Sequence, residues 1–124
     1  MTFKKVAPYT LLILAILIVG SYFWADLETT KLNNELRNQL GINYVDLKHG
    51  ATHYELIGKN DAETVVLVHG FSTPNYIWDK NVDSLLAAGF RVLRFDLYGR
   101  GYSHSPELDY TLELFVEQLD ELTK

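Results

Sequence analysis

The chain contains no cysteine, only three prolines, and fewer basic than acidic residues. The absence of cysteine excludes disulfides, thiolate metal sites and a cysteine nucleophile. The 11 basic and 16 acidic residues give a net charge of −5, so the chain has none of the Lys and Arg excess that nucleic-acid binding requires. No nucleic-acid partner is predicted, and the acidity is interpreted as an ordinary solvated surface.

The frame Gly-x-Ser-x-Gly, which presents a serine nucleophile at a sharp turn between a strand and a helix, is also missing from the 124 residues. Ser72 and Ser103 come nearest, but Pro74 and Ser105 occupy the position of the second glycine. The histidines at positions 49, 53 and 104 show no metal-ligand spacing with one another or with carboxylates. They are predicted to be surface or turn residues, and no metal site is expected.

The amino-terminal segment begins with Lys4 and Lys5, which are followed by twenty uncharged residues, 6–25. Twenty helical residues span about 30 Å, the thickness of the hydrocarbon core of a bilayer. Residues 1–25 are therefore predicted to form a transmembrane signal-anchor in the lipid bilayer, favoured over a signal peptide cleaved after Ser21. Because lysines stay on the cytoplasmic side, this single-pass membrane protein would carry its carboxyl-terminal part outside the cytoplasm.

Residues 26–41 are polar, with leucines four residues apart and a glycine, Gly41, at the end. This spacing predicts a juxtamembrane linker helix that lifts the following domain off the bilayer. The leucines are Leu32, Leu36 and Leu40.

The remaining residues, 42–124, alternate between strand and helix patterns. Residues 42–48 and 52–57 predict two strands joined by a tight turn at Gly50. The run Thr64–Val68 reads Thr-Val-Val-Leu-Val, which is mostly β-branched and predicts a parallel strand covered on both faces.

Another strand is predicted over residues 91–97, and a helix on either side of it in the chain. The first helix is indicated by Trp78, Val82, Leu85 and Leu86. The second is indicated by Leu112, Phe115, Val116, Leu119 and Leu122, which lie on one face of it. The order β-β-β-α-β-α implies an α/β fold with a parallel sheet and an antiparallel hairpin at its edge.

Two loops follow predicted strands and carry the clearest motifs. His69-Gly70-Phe71 comes directly after Thr64–Val68. The second, after residues 91–97, reads Asp96-Leu97-Tyr98-Gly99-Arg100-Gly101-Tyr102-Ser103. In this order and spacing, the His-Gly pair and the D-x-x-G-x-G-x-S loop resemble the α/β-hydrolase superfamily. The resemblance implies that residues 42–124 form the first half of an incomplete α/β-hydrolase sheet.

The resemblance also implies roles for these residues. The backbone N–H of Phe71 would be one donor of the oxyanion hole, which stabilises the negative charge that acyl transfer places on the substrate carbonyl. Loop-structuring roles are expected for His69, Gly70, Asp96, Gly99, Gly101 and Ser103. The nucleophile, acid and base of the family come later in the chain, in the order Ser, acid, His.

The 124 residues are accordingly expected to be the amino-terminal part of a longer serine hydrolase that carries the oxyanion loop without a catalytic triad. Phe71-Ser72 differs from the proline or halide-binding residue that often follows His-Gly in epoxide hydrolases and dehalogenases. An esterase or lipase acting on a small-molecule ester or lipid is favoured. Gly99 and Gly101 lack the third glycine of a dinucleotide-binding loop, so no cofactor is expected. The alternative is a non-catalytic membrane stub, either a truncated gene product or one half of a split protein.

Overall fold

The computed structural model describes residues 3–24 and 31–124, with side chains described from residue 9 onward in the first range. The described chain forms two compact units, Met1–Lys31 and Leu32–Lys124. The first unit contains helix α1, Phe3–Trp24. The second contains helix α2 (Asn34–Gln39), strands β1 (Tyr44–Leu47), β2 (Gly50–Ile57) and β3 (Thr64–Val68), helix α3 (Asp79–Ala87), strand β4 (Arg91–Phe95) and helix α4 (Leu112–Leu122).

Helix α1 exposes its apolar side chains from Leu11 to Trp24. Among the residues whose structure is described, however, no helix meets the length and hydropathy needed to cross a membrane. The predicted membrane segment, residues 1–25, extends beyond the described residues at both ends. The structure thus supports a helix at this position and does not support a membrane span.

Helix α2 is shorter than the linker helix predicted over residues 26–41, of which residues 26–30 lie outside the described chain. The side chain of Asn33 accepts the N–H of Leu36 at 2.8 Å and so caps the amino-terminal end. Arg37 is only 1% exposed, and its Nε donates to the carbonyl of Tyr102 at 2.8 Å. The helix is therefore packed into the second unit through Arg37.

The four strands form one sheet in the order β1-β2-β4-β3. Strands β1 and β2 are an antiparallel hairpin, β2 pairs with β4 antiparallel, and β3 pairs with β4 in parallel. The predicted element order and the hairpin at the sheet edge are confirmed. Val92 and Phe95 of the central strand β4 are completely buried, which places the core of the unit around this strand.

Strand β3 was predicted to be covered on both faces, and this prediction is wrong. Its residues alternate between exposed and half-buried, with Val66 and Val68 exposed to 36% and 43%. The reason is its position, because β3 lies at the open edge of the sheet and pairs only with β4. An apolar run indicates that a strand is suited to burial. Whether the strand is buried also depends on which elements pack against it.

Helix α4 begins after Thr111, whose side chain accepts the N–H of Leu114. On the apolar face of this helix, Leu112 and Val116 are exposed to 73% and 57%. The buried positions are Leu114 and Gln118, rotated away from the apolar stripe. The helix thus presents a polar amide to the sheet, and that amide reaches the candidate site.

Candidate functional site

The two loops with sequence motifs meet at one edge of the sheet. Strands β3 and β4 are parallel, with Val68 opposite Phe95, so the residues that follow them are brought side by side. His69 Nε2 and Asp96 Oδ1 lie 4.0 Å apart, and both side chains are buried. This edge is where the carboxyl ends of parallel strands place functional groups in open α/β sheets.

The carboxylate of Asp96 receives three hydrogen bonds from three different segments. Oδ2 accepts the ring Nδ1–H of His53 at 2.7 Å and the backbone N–H of Tyr102 at 3.0 Å. Oδ1 accepts the backbone N–H of Asn75 at 2.8 Å. Asp96 thereby joins strand β2, the loop after β3 and its own loop.

Burial by itself would raise the pKa of Asp96, because the charged form loses water. The hydrogen bond from His53 and the N–H groups of Asn75 and Tyr102 outweigh that effect and leave the pKa below its usual value. The carboxylate is therefore held ionised at neutral pH. Its oxygens are occupied by structural donors, which fits the loop-structuring role expected for it.

The loop after β4 is stabilised by the Ser103 hydroxyl and contains two glycines with positive φ. Ser103 Oγ donates to the Asp96 carbonyl at 2.6 Å and accepts the backbone N–H of His53 at 3.0 Å. Gly101 has a φ of +51°, and a Cβ at this position would lie 2.1 Å from Asp96 Oδ2. Gly99 has a φ of +72°, and its N–H donates to the His104 carbonyl at 2.9 Å. Both loop glycines thus occupy positions that other residues adopt only with strain.

His69 is buried and has both ring nitrogens engaged. Nε2 accepts the backbone N–H of Leu97 at 2.9 Å, so it carries no proton. Nδ1 therefore holds the proton and donates to the Gly70 carbonyl at 2.7 Å. This neutral tautomer accounts for the 4.0 Å distance to Asp96 without an ion pair, and it leaves His69 no free nitrogen for use as a base.

The bond from His69 also orients the peptide between Gly70 and Phe71. In a trans peptide the carbonyl and the N–H point in opposite directions, so fixing the Gly70 oxygen directs the Phe71 N–H away from His69. In the part of the chain that the structure describes, this N–H donates to no protein acceptor. The group expected to bind an oxyanion is consequently free to do so.

The structure reveals buried polar residues that sequence reasoning missed. His53 was predicted to be a surface or turn residue, but it is 7% exposed and bound to Asp96. Gln118 of helix α4 donates through Nε2 to the Asp96 carbonyl at 3.1 Å and to Thr52 Oγ1 at 2.9 Å. Its Oε1 accepts the backbone N–H of Tyr98 at 3.0 Å. The register of β2 against β4 sets His53 beside Asp96, and no local sequence pattern reveals either residue.

Other chemistry finds little support at this edge. The hydroxyl of Ser103 is buried and committed to two structural hydrogen bonds, so it is not poised as a nucleophile. Within residues 3–24 and 31–124, no group of three or more His, Asp or Glu side chains is arranged to hold a metal ion. What the edge does present is a fixed turn with a free backbone N–H.

Comparison with known proteins agrees with this geometry. Residues 65–124 match the model of the alpha/beta hydrolase family. The chain is 37% identical over 70 residues to a putative non-heme chloroperoxidase of Synechocystis sp., covering 56% of this chain and 25% of that protein. It is 36% identical over 85 residues to the bifunctional epoxide hydrolase 2 of Rattus norvegicus, covering 66% of this chain and 15% of that protein.

Solved structures show the same relationship. The enol-lactonase from Burkholderia xenovorans superimposes with a TM-score of 0.62 and 30% identity, over 65% of this chain and 32% of that chain. A haloalkane dehalogenase variant from Bradyrhizobium elkanii gives a TM-score of 0.58 at 30% identity, over 65% of this chain and 27% of that chain. The chain thus spans about a quarter or less of the curated relatives it matches and about a third of the solved structures. Residues 65–124 match the α/β-hydrolase family, and the fold of the second unit is that of the α/β-hydrolase superfamily.

Proposed function

We propose that this chain supplies the oxyanion loop of an α/β-hydrolase that acts on a small-molecule ester or lipid. The observation that carries the proposal is the free N–H of Phe71 on a turn fixed from two sides. His69 holds the Gly70 carbonyl, and Asp96 holds the N–H of Asn75 a few residues further along. A preorganised N–H at this point costs no reorganisation when charge develops on the substrate oxygen.

The relatives leave the substrate class open, because their names include a chloroperoxidase, an epoxide hydrolase, an enol-lactonase and a dehalogenase. Ester hydrolysis is favoured because Phe71 and Ser72 follow His69-Gly70, where epoxide hydrolases and dehalogenases often carry a proline or a halide-binding residue. The roles of the remaining loop residues belong to the same proposal. Asp96, Gly99, Gly101 and Ser103 would hold the second loop against the first.

The proposal is tested by replacing Phe71 in the product of the full reading frame. Phe71→Pro deletes the N–H, whereas Phe71→Ala removes only the ring and keeps the donor. We expect Phe71→Pro to lower kcat for nitrophenyl esters about 10²–10³-fold, the usual effect of losing one oxyanion donor. Phe71→Ala should lose far less activity than Phe71→Pro, because it keeps the donor. Equal activity of the two variants would show that this N–H is not the donor.

A second measurement separates the enzyme from the alternative, a non-catalytic membrane stub. We expect a fluorophosphonate probe for activated serines to leave the 124-residue chain unlabelled, because Ser103 is buried and no Gly-x-Ser-x-Gly frame is present. The product of the full reading frame should be labelled and should hydrolyse esters. Failure of that product to react with the probe or with esters would favour the stub.

We further propose that α1 anchors the protein in the lipid bilayer. Support comes from the uncharged run of residues 6–25 behind Lys4 and Lys5, and from the aliphatic side chains that α1 exposes. Under this proposal the second unit lies outside the cytoplasm, because flanking lysines stay on the cytoplasmic side.

A further inference from the structure

Arg100 connects the loop after β4 to the loop after β3. Its Nε–H donates to the backbone carbonyl of Phe71, and its Nη1 donates to the Gly99 carbonyl at 2.7 Å. The centre of the guanidinium lies 4.5 Å from the centroid of the Phe71 ring, within the range of a cation–π contact. One side chain therefore holds both the backbone and the ring of Phe71.

The contacts of Arg100 differ from those of Arg94 in strand β4. Arg94 pairs with the carboxylates of Glu55 and Asp79. In the described part of the chain, no carboxylate pairs with Arg100. The planar guanidinium of Arg100 presents its donors in a fixed arrangement, which the ammonium of a lysine does not. Here these donors are directed at carbonyl oxygens of the two loops.

Phe71 has few other contacts that could fix it. Its side chain is 84% exposed, so the core does not hold the ring in place. Two successive carbonyls on the turn are bound, Gly70 by His69 and Phe71 by Arg100. The peptide that carries the Phe71 N–H thus has its own oxygen bound by His69, and the oxygen of the next peptide is bound by Arg100.

We infer that Arg100 is a positioning residue that fixes the direction of the Phe71 N–H. This inference rests on the proposed oxyanion role of Phe71 and assigns the side chain that maintains it. His69 binds the carbonyl of Gly70, and Arg100 of the neighbouring loop binds the carbonyl of Phe71. Without Arg100, the peptide after Phe71 and the exposed ring would be free to rotate, and the Phe71 N–H would be held only from the Gly70 side.

The test measures the order of the turn directly, on the full chain in mild detergent. Backbone ¹⁵N relaxation at Phe71 should give an order parameter of about 0.85 in the unchanged chain, as for rigid backbone, and below about 0.6 in Arg100→Gln. Arg100→Lys keeps a cation near the ring but loses the planar fork, and it should recover only part of that order. Arg94→Gln is the matched control, because it removes an arginine from the same strand region and should leave Phe71 ordered.

An unchanged order parameter at Phe71 in Arg100→Gln would overturn the inference. If Arg100→Gln fails to fold, Phe71→Leu replaces it, since this change keeps the carbonyl and removes the ring. The backbone order at position 71 should then fall partway, and the Arg100 Nε–H signal should shift; no change in either would overturn the inference as well.

The outcome can be separated from that of the proposed function. Loss of order at Phe71 in Arg100→Gln establishes the positioning role whether or not any ester is hydrolysed. In an active product of the full reading frame, Arg100→Gln should lower kcat about tenfold or more with KM little changed, since the N–H acts on the transition state. An ordered, Arg100-dependent turn in a product without hydrolase activity would reject the proposed function alone.

Discussion

His53 Nδ1 and Asp96 Oδ2 lie 2.7 Å apart in the buried space between strand β2 and the loop after β4. The carboxylate can only accept, so the histidine ring is the donor. The same ring packs edge-on against Tyr102, with the ring centroids 5.3 Å apart. His53 therefore supports the second loop through one hydrogen bond and one ring contact.

Replacing His53 by Ala should destabilise the second unit. The change leaves one oxygen of a buried carboxylate short of a donor, at a cost of about 1–3 kcal/mol in the free energy of unfolding. Urea denaturation of the unit Leu32–Lys124 would measure the loss. His49→Ala is the matched control, because His49 contacts the half-exposed Glu117 at the surface, where such pairs contribute little to stability. Equal losses in both variants would contradict the special role of His53.

Stability should fall at acid pH through Asp96. Its folded-state pKa lies below the value of about 3.9 for an unfolded aspartate. A depressed pKa contributes stability that is complete above the unfolded value and is lost as pH falls through the folded value. Asp96→Asn should therefore be less stable at pH 7 and should show a shallower decline below about pH 4. Asp61→Asn, in an exposed turn, should retain the full decline; the same decline in Asp96→Asn would refute the prediction.

Gly101 should tolerate no side chain, because a Cβ would meet the Asp96 carboxylate as well as strain a φ of +51°. Gly89 provides the control, since its φ is +89° and a Cβ there would meet nothing within 4 Å. Gly89→Ala should cost about 1–2 kcal/mol from backbone strain alone. Gly101→Ala should cost a further amount of about 1–3 kcal/mol through the clash, measured by thermal unfolding. Equal costs would mean that the loop moves aside without penalty.

The open edge of β3 should make the isolated second unit associate. Val66 lies in an apolar edge strand whose outer N–H and C=O groups have no neighbouring strand in the described chain. Such an edge is a template for pairing with another chain. Val66→Lys should shift the unit Leu32–Lys124 toward monomer in gel filtration, whereas Val116→Lys, on the exposed face of α4, should have little effect. A monomeric unit with a sharp unfolding transition before any substitution would show that the edge is harmless.

The proposed anchor predicts an orientation. A reporter that is active only in an oxidising, exported environment should give signal when fused after Lys124. A cytoplasm-specific reporter at the same site should stay silent. The opposite pattern would reject the orientation, and substitution of Lys4 and Lys5 by Gln should weaken the preference if these charges set it.

Elements that depend on neighbouring residues could be predicted from the sequence. The hairpin of β1 and β2 follows from two β-rich runs around Gly50, and β3 from an unbroken apolar run that the loop at His69 ends. The two loops were recognised because their motifs are contiguous. The two loops meet at one edge because the strands before them are parallel. The proximity of His69 to the loop that contains Asp96 could therefore also be predicted.

Contacts between distant segments could not be predicted. His53 and Asp96 are 43 positions apart, and Arg37 and Tyr102 are 65 positions apart, so neither pair has a local signal. The buried face of helix α4 could not be predicted for a related reason. Periodicity favours apolar Leu112 and Val116, but the sheet offers Thr52 and the Asp96 carbonyl, which a polar Gln118 satisfies better.

The strand order also sets a sequence of events during synthesis. Strand β4 lies between β2 and β3 but is the last of the four to be made. The hairpin can form as soon as Ile57 has emerged from the ribosome, whereas β3 must wait for Phe95. At about 5–20 residues per second, β3 spends roughly one to five seconds as an unpaired apolar segment. During that interval the unpaired strand exposes the nascent chain to aggregation, which chaperones prevent.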